Sequence, residues 1–138
     1  MKMKPTMMKS TMVVLATLLV AGGCGSDPVS PLDPFEPQIN SSTDNFQLQA
    51  TDVTGVGTTL EYSWENTGTR AVVDHSTTIS VGSAQVIITD ANGTEVYSHG
   101  LEPSLNADTT TGVAGTWTIT VVLADYSGTL NFRVQKKT

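Results

Sequence analysis

Few residues in this chain could bind a metal, attack a bond or move a proton. Its 138 residues include a single cysteine, Cys24, and two histidines, His75 and His99. That inventory excludes an internal disulfide framework, a zinc site of the usual ligand number and a paired-thiol redox centre. Asp74-His75-Ser76 contains the three residue types of a hydrolytic triad, which must touch one another to work. On a strand, neighbouring side chains leave opposite faces, so these three cannot converge. Both histidines are therefore expected at the surface, and no catalytic residue is assigned. Asp90-Ala91-Asn92-Gly93 forms half of a calcium loop, but the next acid, Glu95, falls on the strand that follows. A hairpin turn explains the same residues, because Asn-Gly suits a type I′ turn. Asp52, near Gly55 and Gly57, would join such a site only if folding brought it close. No metal site and no cofactor is expected. Sugar-binding sandwiches offer exposed rings to their ligands. Tyr62, Trp64 and Trp117 share strand faces with Leu and Ile and belong in a core. Tyr97, out of phase with Val96, and Tyr126, in an expected turn, are the candidates for exposed ligand contacts.

The elements that must position these residues are unevenly distributed. The length suits one domain plus a tail. Hydrophobic residues make up 38% and charged residues 14%, which is too apolar for a wholly disordered chain. A formal charge of -6 argues against nucleic acid, whose phosphates need basic neutralisation. All five methionines and Lys2, Lys4 and Lys9 lie in the first 12 residues. An uncharged apolar stretch over 11–23 follows, ending in small residues. A basic start, a short apolar core and a small-residue exit describe a secretory signal peptide over 1–23. The apolar run is too short to span a bilayer as a permanent helix.

The exit reads Ala21-Gly22-Gly23-Cys24 and resembles the lipobox of bacterial lipoproteins. Ala21 stands where that family prefers Leu. The resemblance implies cleavage before Cys24, a diacylglycerol thioether on its sulfur and an acylated (palmitate-type) amino terminus, so Cys24 is the expected lipid attachment site. Two or three acyl chains give stable anchoring, whereas one is marginal. Gly25, in place of an inner-membrane-retaining Asp, implies outer-membrane sorting in a Gram-negative host. The same string also suits ordinary signal peptidase, which would leave a soluble protein with a free thiol.

Residues 24–45 are expected to form the lipidated terminus and a Pro-rich extended linker. Pro28, Pro31, Pro34 and Pro37 recur every third residue, the polyproline II period. About 20 such residues would reach roughly 60 Å. Leu32 and Phe35 are apolar enough to dock on the body instead. Over 46–138 the apolar period is two, Thr is abundant and turn residues recur. Strands are expected at 46–51, 58–65, 71–74, 77–81, 84–90, 95–99, 115–124 and 129–135. The last two should pair as a hairpin around Asp125-Tyr126-Ser127-Gly128. The result is an all-β class: an antiparallel, immunoglobulin-like β-sandwich of about eight strands. From Ser83 onward, the Asp90-Ala91-Asn92-Gly93 turn and the Gly115-Thr116-Trp117 strand with its Ser127-Gly128 turn are similar to bacterial pre-peptidase C-terminal domains. The expected protein is a cell-envelope lipoprotein with a non-catalytic sandwich in recognition or structure. Its expected partners are membrane lipid, through acylated Cys24, and an envelope protein or polysaccharide. A carbohydrate- or peptide-binding module is the first alternative and a small secreted hydrolase the second.

Overall fold

Alternation of apolar with hydroxyl or amide side chains produces strands throughout the computed structural model, which describes residues 30–138. The expected signal peptide and Cys24 lie outside the described residues. A 3-10 turn at Asp33–Phe35 leads into β1 (Gln38–Ser42), β2 (Asn45–Asn66), β3 (Ala71–His75), β4 (Thr78–Thr89), β5 (Glu95–Gly100), β6 (Leu105–Asp108) and β7 (Gly115–Lys136). All pairings are antiparallel, in the order β1-β2-β7-β3-β6, with β4 joining β7 to β5.

One sheet makes both layers because three of its strands bend together. Residues 45–50 of β2 pair with 130–135 of β7, and 58–66 pair with 115–123. Between these stretches the register slips three times, and Asp52, Gly55 and Asp125 take positive φ. β4 follows the same bend: 78–81 pair with 127–129, and 83–89 pair with 118–124. Gly82 sits at its corner with φ +77°, where a Cβ would strike the carbonyls of Ala124 and Asp125. Bulges of this kind raise twist and fold a sheet over itself. The two halves of β2 then face each other: the Phe46 ring lies 5.4 Å from the Tyr62 ring. The first layer comprises β1, the early part of β2, the late part of β7, β3 and β6. The second comprises the late part of β2, the early part of β7, the late part of β4, and β5. Between them lies one core, in which Trp64 and Trp117 meet edge to face at 5.9 Å.

The all-β antiparallel sandwich is as expected, with differences in strand continuity. Six of the expected strands fuse pairwise into β2, β4 and β7, while β1 and β6 are additional. The expected hairpin of 115–124 with 129–135 does not form. Asp125–Gly128 bends one strand instead of reversing it, because β2 offers an uninterrupted partner to both halves. Tyr126 fills the inside of the bend, fully buried, and its hydroxyl donates to the Thr78 carbonyl at 2.7 Å.

The boundary between linker and body also moves. The compact unit begins at Pro31, not at residue 46. Leu32 is fully buried and Phe35 packs on the core, so this stretch docks rather than standing off as a rod. Asp44, at φ 68°, then reverses the chain between β1 and β2, a conformation Asp tolerates better than most residues.

Candidate functional site

The alternation that fills the core also decorates the two outer faces, and it does so differently. On the first layer, cross-strand register aligns Asn40, Gln47, Arg133, Asp74 and Asn106 in one row. Gln38, Gln49 and Asn131 form the next row, and Ser42, Asn45 and Gln135 another. The face is therefore paved with carboxamides. Two shallow clefts open on it. One, of about 240 Å³, is lined by Gln47, Asp74, Ser76, Asn131 and Arg133. The other, of about 380 Å³, is lined by Pro37, Gln38, Ile39, Asn40, Gln47 and Gln49. Gln47 borders both, so they form one continuous polar surface. Arg133 is held by Asp74 at 3.3 Å, and Asn131 donates from Nδ2 to the Ser76 hydroxyl at 3.1 Å. Charge is thus balanced within the first cleft. Its chemistry is neutral hydrogen bonding, since each amide offers both donors and an acceptor.

At the β1–β2 turn, Asp44 accepts from the backbone N–H and hydroxyl of Thr67 and pairs with Lys136 at 3.2 Å. The Thr67 N–H, aided by its hydroxyl and the Lys136 ammonium, holds this carboxyl below its ordinary value. These contacts fix the turn that presents Gln38 and Asn40.

Tyr126 is not the exposed contact expected of it. Burial, reinforced by the Glu102 charge, pushes its phenol up to about 12. Tyr97 is half-buried on the inward side of β5, and its hydroxyl has no hydrogen-bond partner. The two tyrosines form no aromatic platform. Trp64 and Trp117 are buried as expected, with their indole N–H groups donating to the carbonyls of Ser42 and Val113; Tyr62 is half-buried against the core.

The histidines correct the expectation of two surface side chains. His99 is exposed, but His75 is only 1% exposed, with Nδ1 3.0 Å from the Leu101 carbonyl. It sits inward because β3 turns Ala71, Val73 and His75 to the core and Val72 and Asp74 outward. Burial lowers its pKa, outweighing the Leu101 hydrogen bond. The ring of His99 approaches to 6.0 Å, centre to centre. Asp74, His75 and Ser76 do not converge: Asp74 faces outward to Arg133, and Ser76 receives Asn131.

Asp90 is a structural hub. Its Oδ1 accepts from the N–H groups of Asn92 and Thr94, and its Oδ2 from that of Val113, all at 2.9 Å. The Thr94 N–H, with those of Val113 and Asn92, holds the carboxyl below its ordinary value. The turn differs from type I′, because positive φ falls on Gly93 and not on Asn92. It is a type I turn closed by a left-handed glycine beside a register slip in β4 and β5. Among the described residues, no group of three or more His, Cys, Asp or Glu side chains could hold a metal ion.

Sequence reasoning missed the amide face. Gln38 and Asn40 fall within the expected linker 24–45, so the first edge of the face escapes a strand-by-strand reading. A signal was present: outward positions over 45–49 and 131–135 read Asn, Gln, Gln and Asn, Arg, Gln, where Thr dominates elsewhere.

No protein-family model matches the chain, and no curated protein matches it. It is similar to a solved structure, the Glycosylation Associate Protein (Gap123) complex from Streptococcus agalactiae. The TM-score is 0.41 and the identity 13%, covering 75% of this chain and 40% of that one. The chain thus spans well under two thirds of that protein chain.

Proposed function

We propose that this chain is a lipid-anchored protein of the bacterial cell envelope whose non-catalytic sandwich recognises a neutral, hydroxyl-rich polymer through its amide face. The anchor rests on the signal-like head and the lipobox-like Ala21-Gly22-Gly23-Cys24. Gly25 favours the outer membrane. Recognition rests on one observation: the outer face of the first layer carries Asn and Gln where a strand would be better served by Thr or Val. Amides match hydroxyl groups, which also donate and accept, and the paired Arg133 and Asp74 leave no net charge to select an ionic ligand. Envelope polysaccharide has that chemistry. The tether is shorter than a 20-residue stalk. From Cys24 to Leu32 the chain spans at most about 29 Å, at ~3.6 Å per residue. The sandwich therefore works close to the membrane surface.

Two measurements test the reading. Cys24→Ser should move the protein from the membrane fraction to the soluble fraction, with the intact mass of the parent showing the acyl chains. Retention of the variant in membranes would remove the anchor. Gln47→Ala, which opens both clefts, should reduce co-sedimentation with purified envelope polysaccharide while leaving the fold intact. Undiminished binding would remove the amide face from the recognition.

A further inference from the structure

We infer that His75 and His99 form a two-imidazole site for a late first-row transition-metal ion, between the C-terminal end of β3 and the edge strand β5. The Nδ1 of His75 faces the Leu101 carbonyl at 3.0 Å, and a carbonyl only accepts, so Nδ1 carries the hydrogen. In the neutral ring Nε2 is then a bare lone pair. It is buried and has no hydrogen-bond partner in the structure. His99 repeats the arrangement, with Nδ1 2.6 Å from the Gly100 carbonyl. Both rings therefore hold the tautomer of a metal-bound histidine, in which Nδ1–H is fixed by a backbone carbonyl and Nε2 is left to the ion. The two carbonyls are adjacent in sequence, so one short stretch of chain orients both rings.

Spacing agrees with the tautomers. The ring centres lie 6.0 Å apart with planes inclined by 40°. Two imidazoles that share one ion through nitrogens about 2.0–2.1 Å from it have ring centres roughly 5–6.5 Å apart. Beside them Tyr97 stacks on His99 at 6.2 Å, and its buried hydroxyl also lacks a partner. Unpaired buried polar groups in native proteins are uncommon and call for a ligand or water. Here two fall in one cluster. The donors are two imidazole nitrogens, without a carboxylate, which favours Cu²⁺ or Zn²⁺ over calcium or magnesium. Cysteine and histidine counts excluded a zinc site of the usual ligand number. A two-histidine site is a different object, with open positions for water or a further ligand, and the exposed His99 gives the ion its way in.

The test uses the full chain in detergent, with Cys24→Ser in every variant to remove the thiol. Titration with Cu²⁺ and with Zn²⁺, each alone, is followed by calorimetry, and the Cu²⁺ form by electron paramagnetic resonance. One ion per chain with nitrogen coupling from two imidazoles is expected. His99→Ala should weaken binding at least tenfold with an unchanged circular dichroism spectrum. His99→Asn, which keeps a polar side chain at that edge, serves if the alanine variant loses its fold. Absence of stoichiometric binding in the parent, or full-strength binding in a folded His99 variant, overturns the site.

Discussion

The two outer faces of the sandwich share the continuous strands β2 and β7 and the same period of two, yet they carry different chemistry. The first layer turns outward Gln38, Asn40, Gln47, Gln49, Asn131 and Gln135, with Arg133 paired to Asp74. The second turns outward Thr116, Thr118 and Thr120 of β7 beside Thr59, Glu61, Ser63 and Glu65 of β2, with no basic side chain among them. Every ion pair among the described residues that involves Arg70, Arg133, Lys136 or Lys137 belongs to the first layer or the segments flanking it. Thr is a good strand former and Asn a poor one. The threonine face therefore serves the strand itself, whereas the amide face gives up strand propensity for hydrogen-bonding capacity. On the proposed reading, the amide face is the one that serves contact and the threonine face the one that serves the sheet.

The comparison fails outright if the shared core fails. Trp117 is fully buried, edge-on to Trp64, and underlies both faces through β7. Trp117→Ala should cost about 3–5 kcal/mol, a large share of the stability of a domain this size. Urea unfolding should show one transition moved to much lower denaturant. Two separate transitions would mean that the faces belong to independent units.

Acid should destabilise the sandwich in two stages. The folded His75 pKa lies below the ordinary 6.5 because the ring is buried, so the unfolded chain binds the proton more readily. Stability is then complete above about pH 6.5 and falls as the pH drops through that value. Asp44 and Asp90, also lowered, add a second loss within the acidic carboxylate range, where hydrogen-bonded carboxylates must take up protons. Chemical denaturation between pH 7.5 and 3 should show both losses. A midpoint unchanged from pH 7 to 5 would contradict the burial of His75.

A small change on each face separates their roles directly. Asn131→Thr on the amide face should leave stability unchanged or raise it by up to about 0.5 kcal/mol, while Thr118→Asn on the opposite face should lower it by about as much. Polysaccharide binding should fall in the first variant alone. Equal binding loss in both would erase the functional distinction between the faces.

How far the sequence reached can be judged from particular residues. The alternation over 115–124 announced an inward Trp117, Ile119, Val121 and Leu123, and all four are buried. Asp90 was legible as a turn residue, and its three backbone N–H donors agree. Tyr126 was not legible. Local turn chemistry at Asp125–Gly128 has the same letters whether the chain reverses or merely bends, and only the partner strand separates the two outcomes. The docking of Leu32 was legible from its apolar side chain among prolines, but strand β1 at Gln38–Ser42 was not, because its place follows from an edge formed by distant residues.

Local period and composition were enough to give the strand content and the inward set of most strands, whereas the export-type head ending at Cys24 stands as an expectation read from composition alone. The tertiary structure decided which strands run through a bend, where the body begins, that His75 is buried beside His99, and that amides from four strands meet on one face. Those outcomes depend on register between segments up to about ninety residues apart, and a register is set by packing across the sheet rather than by neighbours along the chain.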